Sequence, residues 1–149
     1  MLWNTERSMD YFTLQEVVVR SGLSEHTLRY YERIGLLEQV ERDHSSGHRR
    51  YTAEDLQVIE VMACLRATGM SIDNMRRFIE LARQGQAAEL AELFEAHRQQ
   101  LEIELARKQE HLRYLGMKVE FWKAASAGDD VKMREIRAAS DALAIHLMK

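Results

Sequence analysis

The sequence lacks what several kinds of protein need. No apolar run approaches 18 residues, so nothing in it reads as a membrane span. It holds a single cysteine, Cys64, which excludes an internal disulfide and fits a reducing cytoplasm. There is no glycine-rich phosphate loop and no carboxylate pair placed for acid–base work, and Cys64 has no base nearby in sequence. No enzyme and no cofactor are therefore expected. Residues 1–70 contain no lysine; eight arginines stand against eleven acids there, in a chain of net charge −3. That removes the broadly basic surface by which a nucleic-acid-binding domain usually shows itself. At 149 residues, 46% of them apolar, there is length for one small domain and an appendage.

What is present is a series of helix signals. Thr13 and Glu16 make a capping box, with Phe12 and Val17 as its hydrophobic staple. They predict a helix from Leu14 to about Ser21, turned by Gly22. Ser24 caps a second helix, Glu25 to about Ile34, which stops at Gly35. Leu28 and Tyr31 share its apolar face. His26, Arg29, Tyr30 and Arg33 stand at i, i+3, i+4 and i+7 on the outer face. A helix of under three turns cannot stand alone, so it leans inward through Leu28 and Tyr31. Its donors and its aromatic are left outward, which suits a DNA groove and its phosphates. Two helices about a tight glycine turn form the helix-turn-helix pattern.

Beyond Leu36 and Leu37 the stretch from Glu38 to Arg50 is polar and centred on Ser45-Ser46-Gly47. It reads as a hairpin in which Val40 pairs with the Arg50–Tyr51 region. Arg42, His44, His48, Arg49 and Arg50 crowd its tip and arms. A helix-turn-helix followed by a basic hairpin is a winged helix, with two contacts to a duplex. Glu16, Glu25, Glu32, Glu54, Asp55 and Glu60 are expected on other faces or at helix N-termini. Recognition then rests on a few placed arginines and is sensitive to salt.

Thr52 and Asp55 make another capping box, opening a third helix that runs to about Thr68. It carries one stripe of Val58, Val61, Met62 and Leu65, and another of Leu56, Ile59, Ala63 and Ala67. Ser71 caps a fourth, Ile72 to about Gln84, with Met75, Phe78, Ile79 and Ala82 on its apolar face. Ala87 to about Ala125 is one long pattern. Counted in heptads, Ala91, Arg98, Leu105, Leu112 and Val119 fall at one seam position, and Phe94, Leu101, Lys108, Leu115 and Trp122 at the other. Such a helix spans about 55–60 Å, more than a domain this small can cover, so a second chain is expected along it. A turn over Ala125–Asp130, capped by Asp129 or Asp130, leads to a weakly amphipathic helix, Val131 to Leu147. The expected fold class is mainly all-α. A flexible lead-in (1–11) precedes a winged helix-turn-helix DNA-binding domain (12–86), a long dimerisation coiled-coil helix (87–125) and a short C-terminal helix (126–149).

The strings TLRYYERIGLL (Thr27–Leu37) and GHRRY (Gly47–Tyr51), followed by Asp55, Leu56 and Ile59, resemble the MerR-type transcriptional regulators, closely from Phe12 to Leu81. The resemblance implies that Thr27, Arg29 and Tyr30 contact DNA from the helix, beside the outward His26 and Arg33. It implies that Arg42, Gly47, His48, Arg49 and Tyr51 form the wing site, while Tyr51 also has a structural reading as a staple with Leu56 for the third helix. Three departures stand out. Glu38 and Gln39 occupy the place of a usual proline, which this chain lacks entirely. Asp43 lengthens the wing by a residue, and His48 replaces a more frequent tyrosine. The resemblance further implies a homodimer with an antiparallel coil, which bends and untwists an overlong promoter spacer so that RNA polymerase can start. Metal-sensing members carry cysteines at the far end of the coil. This chain has none there, and soft metals need thiolates, so no metal is expected.

The stretch IEVMACLRATGMS (Ile59–Ser71) looks like the branch that answers aldehydes and other electrophiles or oxidants through one cysteine, which points to Cys64 as the sensor. Its helical neighbours Gln57, Glu60 and Thr68 put it at a polar edge between the two stripes. A thiolate there faces Glu60 and needs a cation from another helix or from the partner chain, since Arg66 points elsewhere. Two rivals remain open. One is a regulator holding a noncovalent small apolar ligand between the coil and the C-terminal helix, near Phe121 and Trp122. The other is a coiled-coil adaptor protein whose winged helix is a relic.

Overall fold

The computed structural model describes residues 11–38 and 40–148. The expected lead-in falls outside them, except for Tyr11. In chain order the elements are α1 (Leu14–Ser21), α2 (Glu25–Arg33), β1 (Glu41–Arg42), β2 (Arg49–Arg50), α3 (Ala53–Ala67), α4 (Ile72–Arg83), α5 (Ala87–Ala127) and α6 (Asp130–Leu147). They form two units, one through Glu95 and one from Ala96, with α5 contributing to both.

Helices begin where a side chain satisfies the first free N–H groups. The Glu16 N–H donates to Thr13 Oγ1 at 3.3 Å, and the Thr13 N–H donates to the Glu16 carboxylate at 2.7 Å. Thr52 and Asp55 repeat the pair at 3.1 and 2.8 Å. Ser24 and Ser71 accept from the Thr27 and Asn74 N–H groups. Each cap is worth about 1 kcal/mol. Gly22, at φ +69°, ends α1 in a left-handed conformation that a side chain would strain.

The first unit closes a core of its own. Leu28 and Tyr31 are buried, as their spacing predicts, with Val17 of α1, Leu36 and Leu37 beyond α2, and Tyr51 at the root of the wing. On α3 the buried line is Leu56, Ile59 and Met62, which draws on both expected stripes. Val58, Val61, Ala63 and Leu65 pack partly against the same core, so α3 is wedged in it along its middle, and Ala67 at its end is exposed. On α4, Met75, Phe78 and Ala82 are buried, Leu81 joins them, and Ile79 packs partly against the same core. Leu90 and Leu93 of α5 complete the cluster, and the Phe94 ring stands 5.6 Å from that of Phe78.

The wing has a root that local sequence does not announce. The Phe12 N–H donates to the Tyr51 carbonyl at 2.8 Å, and the Tyr51 N–H donates back to Phe12 at 3.0 Å. The segment before α1 thereby ties down the end of the hairpin. The hairpin pairs Glu41 with Arg50 and Arg42 with Arg49, starting one residue beyond Val40.

In the second unit α5 continues to Ala127, and Asp129 caps α6 by accepting from the Lys132 N–H at 3.0 Å. Ala124, Ser140 and Leu143 are buried, and Lys132 Nζ reaches Glu120 at 3.4 Å. Along α5, Leu105, Leu112, Leu115, Val119 and Trp122 are each more than half exposed, Leu112 and Trp122 at 68%. Among the described residues no helix is long and apolar enough to cross a membrane.

Candidate nucleic-acid interface

The outer face of α2 carries its polar side chains as the spacing predicts. His26 and Arg29 are exposed, Arg29 paired with Glu25 one turn back. Tyr30 is partly exposed, and the Arg33 guanidinium lies 5.4 Å over its ring. Thr27 is half-buried. Its hydroxyl lies 2.9 Å from that of Ser24 and accepts from Arg66 Nη1 at 3.0 Å.

Asp43 organises the turn of the wing. Its Oδ1 accepts from the N–H groups of Ser45 and Ser46 at 2.9 and 2.8 Å. Its carbonyl accepts from the Gly47 N–H at 2.8 Å, and its Oδ2 meets Arg50 at 2.7 Å. The Ser45 hydroxyl first, then the Ser46 and Ser45 N–H groups, hold its carboxyl far below the ordinary aspartate value. Gly47 takes φ +69°, which only glycine adopts without strain, and its carbonyl accepts from Arg42 Nη1 at 3.2 Å. His44 and His48 are exposed at the tip and arm.

Where α2 meets the wing, one carboxylate holds both. Glu32 Oε2 accepts from Arg49 Nε at 3.1 Å, and Glu32 Oε1 accepts from the Tyr51 hydroxyl at 3.1 Å. The Glu32 and Arg49 side chains are only 15% and 20% exposed, and Tyr51 is fully buried. Burial, then the Glu32 charge, pushes the Tyr51 hydroxyl far above its ordinary pKa, so it stays a donor. Tyr51, grouped in sequence with the wing contacts, thus has no side-chain surface to offer a duplex and is a support beneath them. Arg29, Glu32, Arg33, Val40, Arg42 and Arg49 line one hollow of about 320 Å³ between helix and wing.

The acids are not all turned away. Glu16 and Asp55 serve the caps, but Glu25 and Glu32 stand within this surface, each paired to one of its arginines. A polyanion facing it meets two arginines, Arg29 and Arg49, already charge-matched, which leaves the surface less positive than its arginine count.

Cys64 lies exposed on α3. Glu60, one turn before it, is paired with Arg20 of α1 at 3.3 Å. Arg66, two residues after Cys64, is turned to Thr27 on α2. Among the described residues no group of three or more His, Cys, Asp or Glu is placed to hold a metal ion. Sequence reasoning missed Glu32, Arg20 and the placement of Arg66. Their partners lie 17 to 40 residues away in the chain, beyond any spacing rule.

Comparison with known proteins places the chain among regulators of one family. Residues 12–81 match the sequence model of the MerR HTH family regulatory proteins. An uncharacterized HTH-type transcriptional regulator of Haemophilus influenzae is 35% identical over 123 residues, covering 81% of this chain and 90% of that one. The HTH-type transcriptional regulator AdhR of Bacillus subtilis is 40% identical over 72 residues, 48% of this chain and 51% of that one. Among solved structures, HiNmlR, described as a MerR family regulator lacking the sensor domain and bound to promoter DNA, superposes with a TM-score of 0.68 at 32% identity. That match covers 85% of this chain and 96% of that one.

Proposed function

The chain belongs to the MerR family of DNA-binding transcriptional regulators, and on that footing we propose that it acts on promoter DNA as a homodimer. Each α2 and wing takes one half-site of a near-palindromic element, and the pair distorts the DNA between them so that RNA polymerase can start. The observation that carries this is the gathering of Arg29, Arg33, Arg42 and Arg49 around one hollow, with His26 and Tyr30 outward beside it. HiNmlR, matched over nearly its whole length, is solved on promoter DNA, which supports the same use here. Dimerisation is supported by the exposed leucines of α5, which repeat at seam positions and need a second apolar surface. The working compartment is the cytoplasm.

The switch is Cys64. Its exposure on α3 leaves the sulfur open to small electrophiles. The thiolate adds to an aldehyde carbonyl carbon and the carbonyl oxygen takes up a proton, leaving a bulkier, more polar side chain. The Arg66–Thr27 hydrogen bond joins that end of α3 to the DNA-facing helix. A displaced α3 therefore biases two arrangements of α2.

A promoter-reporter assay with an aldehyde panel tests the switch, alongside mass spectrometry of the treated protein. Cys64→Ala is expected to bind the same DNA and to lose induction, with the added mass on Cys64 in the parent chain. Intact induction in Cys64→Ala contradicts the switch and leaves DNA binding standing.

A further inference from the structure

We propose that Glu32 is a positioning residue for DNA binding: it aims Arg49 into the hollow between α2 and the wing, making that hollow a seat for a backbone phosphate. This rests on the reading of α2 and the wing as the DNA-facing surface. A carboxylate in such a surface is at first sight a defect, because it repels the phosphates that the arginines attract. The geometry points the other way.

Glu32 sits in the last turn of α2, and it engages Arg49 through Nε at 3.1 Å. That is the one side-chain hydrogen bond of Arg49 among the described residues, and it uses the inner edge of the guanidinium. The two terminal nitrogens remain for the hollow that Arg49 shares with Arg29, Arg33 and Arg42. A guanidinium held at Nε is fixed in plane and direction, and its outer edge can then take two phosphate oxygens side by side. The other carboxylate oxygen is held by the buried Tyr51 hydroxyl at 3.1 Å. Tyr51 is in turn anchored through its backbone to Phe12. The chain of contacts therefore runs from the segment before α1, through the wing root, to the recognition helix. It makes helix and wing one rigid surface and cancels the Glu32 charge within it.

Simple electrostatics and positioning predict opposite results for Glu32→Gln. The 149-residue chain enriches a duplex from a random library. Affinity for that duplex is then read by fluorescence anisotropy over a range of salt, with thermal unfolding of each variant alongside. Positioning predicts that Glu32→Gln, though one negative charge poorer, binds about tenfold more weakly, with a salt slope shallower by about one phosphate, matching Arg49→Ala. The double variant Glu32→Gln/Arg49→Ala is expected to bind no worse than Arg49→Ala. Glu32→Gln binding as tightly as the parent or tighter, or losses that add in the double variant, overturns the proposal. Arg49→Lys keeps the charge but lacks the Nε donor and the fork. It is expected to lose as much as Arg49→Ala, and parent-like binding by it contradicts positioning even if Glu32→Gln fails to fold. If the library yields no preferred duplex, the DNA-facing reading itself has failed, and this proposal with it.

Discussion

The two units obey the same patterning rules and end differently. In the first, apolar residues at helical spacing are buried within the chain itself: Val17, Leu28, Ile59, Met62 and Met75 are all essentially inaccessible. In the second, Leu105, Leu112, Leu115 and Val119 repeat just as regularly along α5 and stay more than half exposed. Burying a leucine stabilises by roughly 1.5–3 kcal/mol, and a chain that leaves several in water has left its surface unfinished. The first unit is closed and presents polar side chains outward as a product. The second presents apolar side chains outward, the surface on which the proposed pairing rests.

That contrast breaks most readily in the seam. Leu105→Glu with Leu112→Glu places like charges along the proposed pairing surface in both copies. A loss of roughly 6–12 kcal/mol of association is expected, at 1.5–3 for each of the four leucines in the two copies, seen as monomers in sedimentation at concentrations where the parent is paired. Leu28→Ala is the counterpart in the closed unit. It opens a cavity beneath α2 and is expected to cost about 2–5 kcal/mol, read by urea unfolding. The cost at Leu28 should not depend on protein concentration, whereas the effect of the seam variant should.

The closed unit was also the more legible one. Thr13 with Glu16, Thr52 with Asp55, and the lone caps Ser24 and Ser71 announce their helices because each cap is satisfied within three residues. Leu28 and Tyr31 declare the buried side of α2 for the same local reason. What stayed hidden joins residues far apart in sequence: the Phe12–Tyr51 pairing, the hold of Glu32 on Arg49, and Arg66 on Thr27. Asp43 is the instructive case. As a sequence feature it was an irregularity of wing length, while in the fold its carboxylate closes the turn. The two stripes of α3 merged for a related reason. Spacing tells which residues share a face, but not how many neighbours press on the helix at once.

Smaller changes sharpen the comparison further. Arg29→Ala removes an exposed guanidinium from the outer face of α2 and frees Glu25. A loss of about 1–3 kcal/mol in affinity for the enriched duplex is expected if it reads a base, with discrimination relaxed at one position. Anisotropy with single-base variants of that duplex measures it, and unfolding should be unaltered.

The weakest effect is acid sensitivity, and each unit has a marker for it. Glu16 is held below its ordinary pKa by the Thr13 N–H and hydroxyl, and Glu120 by its hydrogen bond and charge interaction with Lys123, then by Lys132. A carboxyl whose pKa is lower in the folded state binds its proton more readily once unfolded. Its stabilisation is therefore complete above the ordinary value of 4.5 and is lost as the pH falls below it. Glu16→Gln and Glu120→Gln should each show a small loss of melting temperature at neutral pH and a flatter decline in acid than the parent.

The division of labour between a closed reading unit and an open pairing helix is tested most directly by stoichiometry. Sedimentation of the 149-residue chain with its enriched duplex should give two chains per duplex. The Leu105→Glu/Leu112→Glu variant, still folded in its first unit, should bind that duplex far more weakly and one chain at a time. One chain per duplex for the parent, or undiminished affinity in the seam variant, would contradict it.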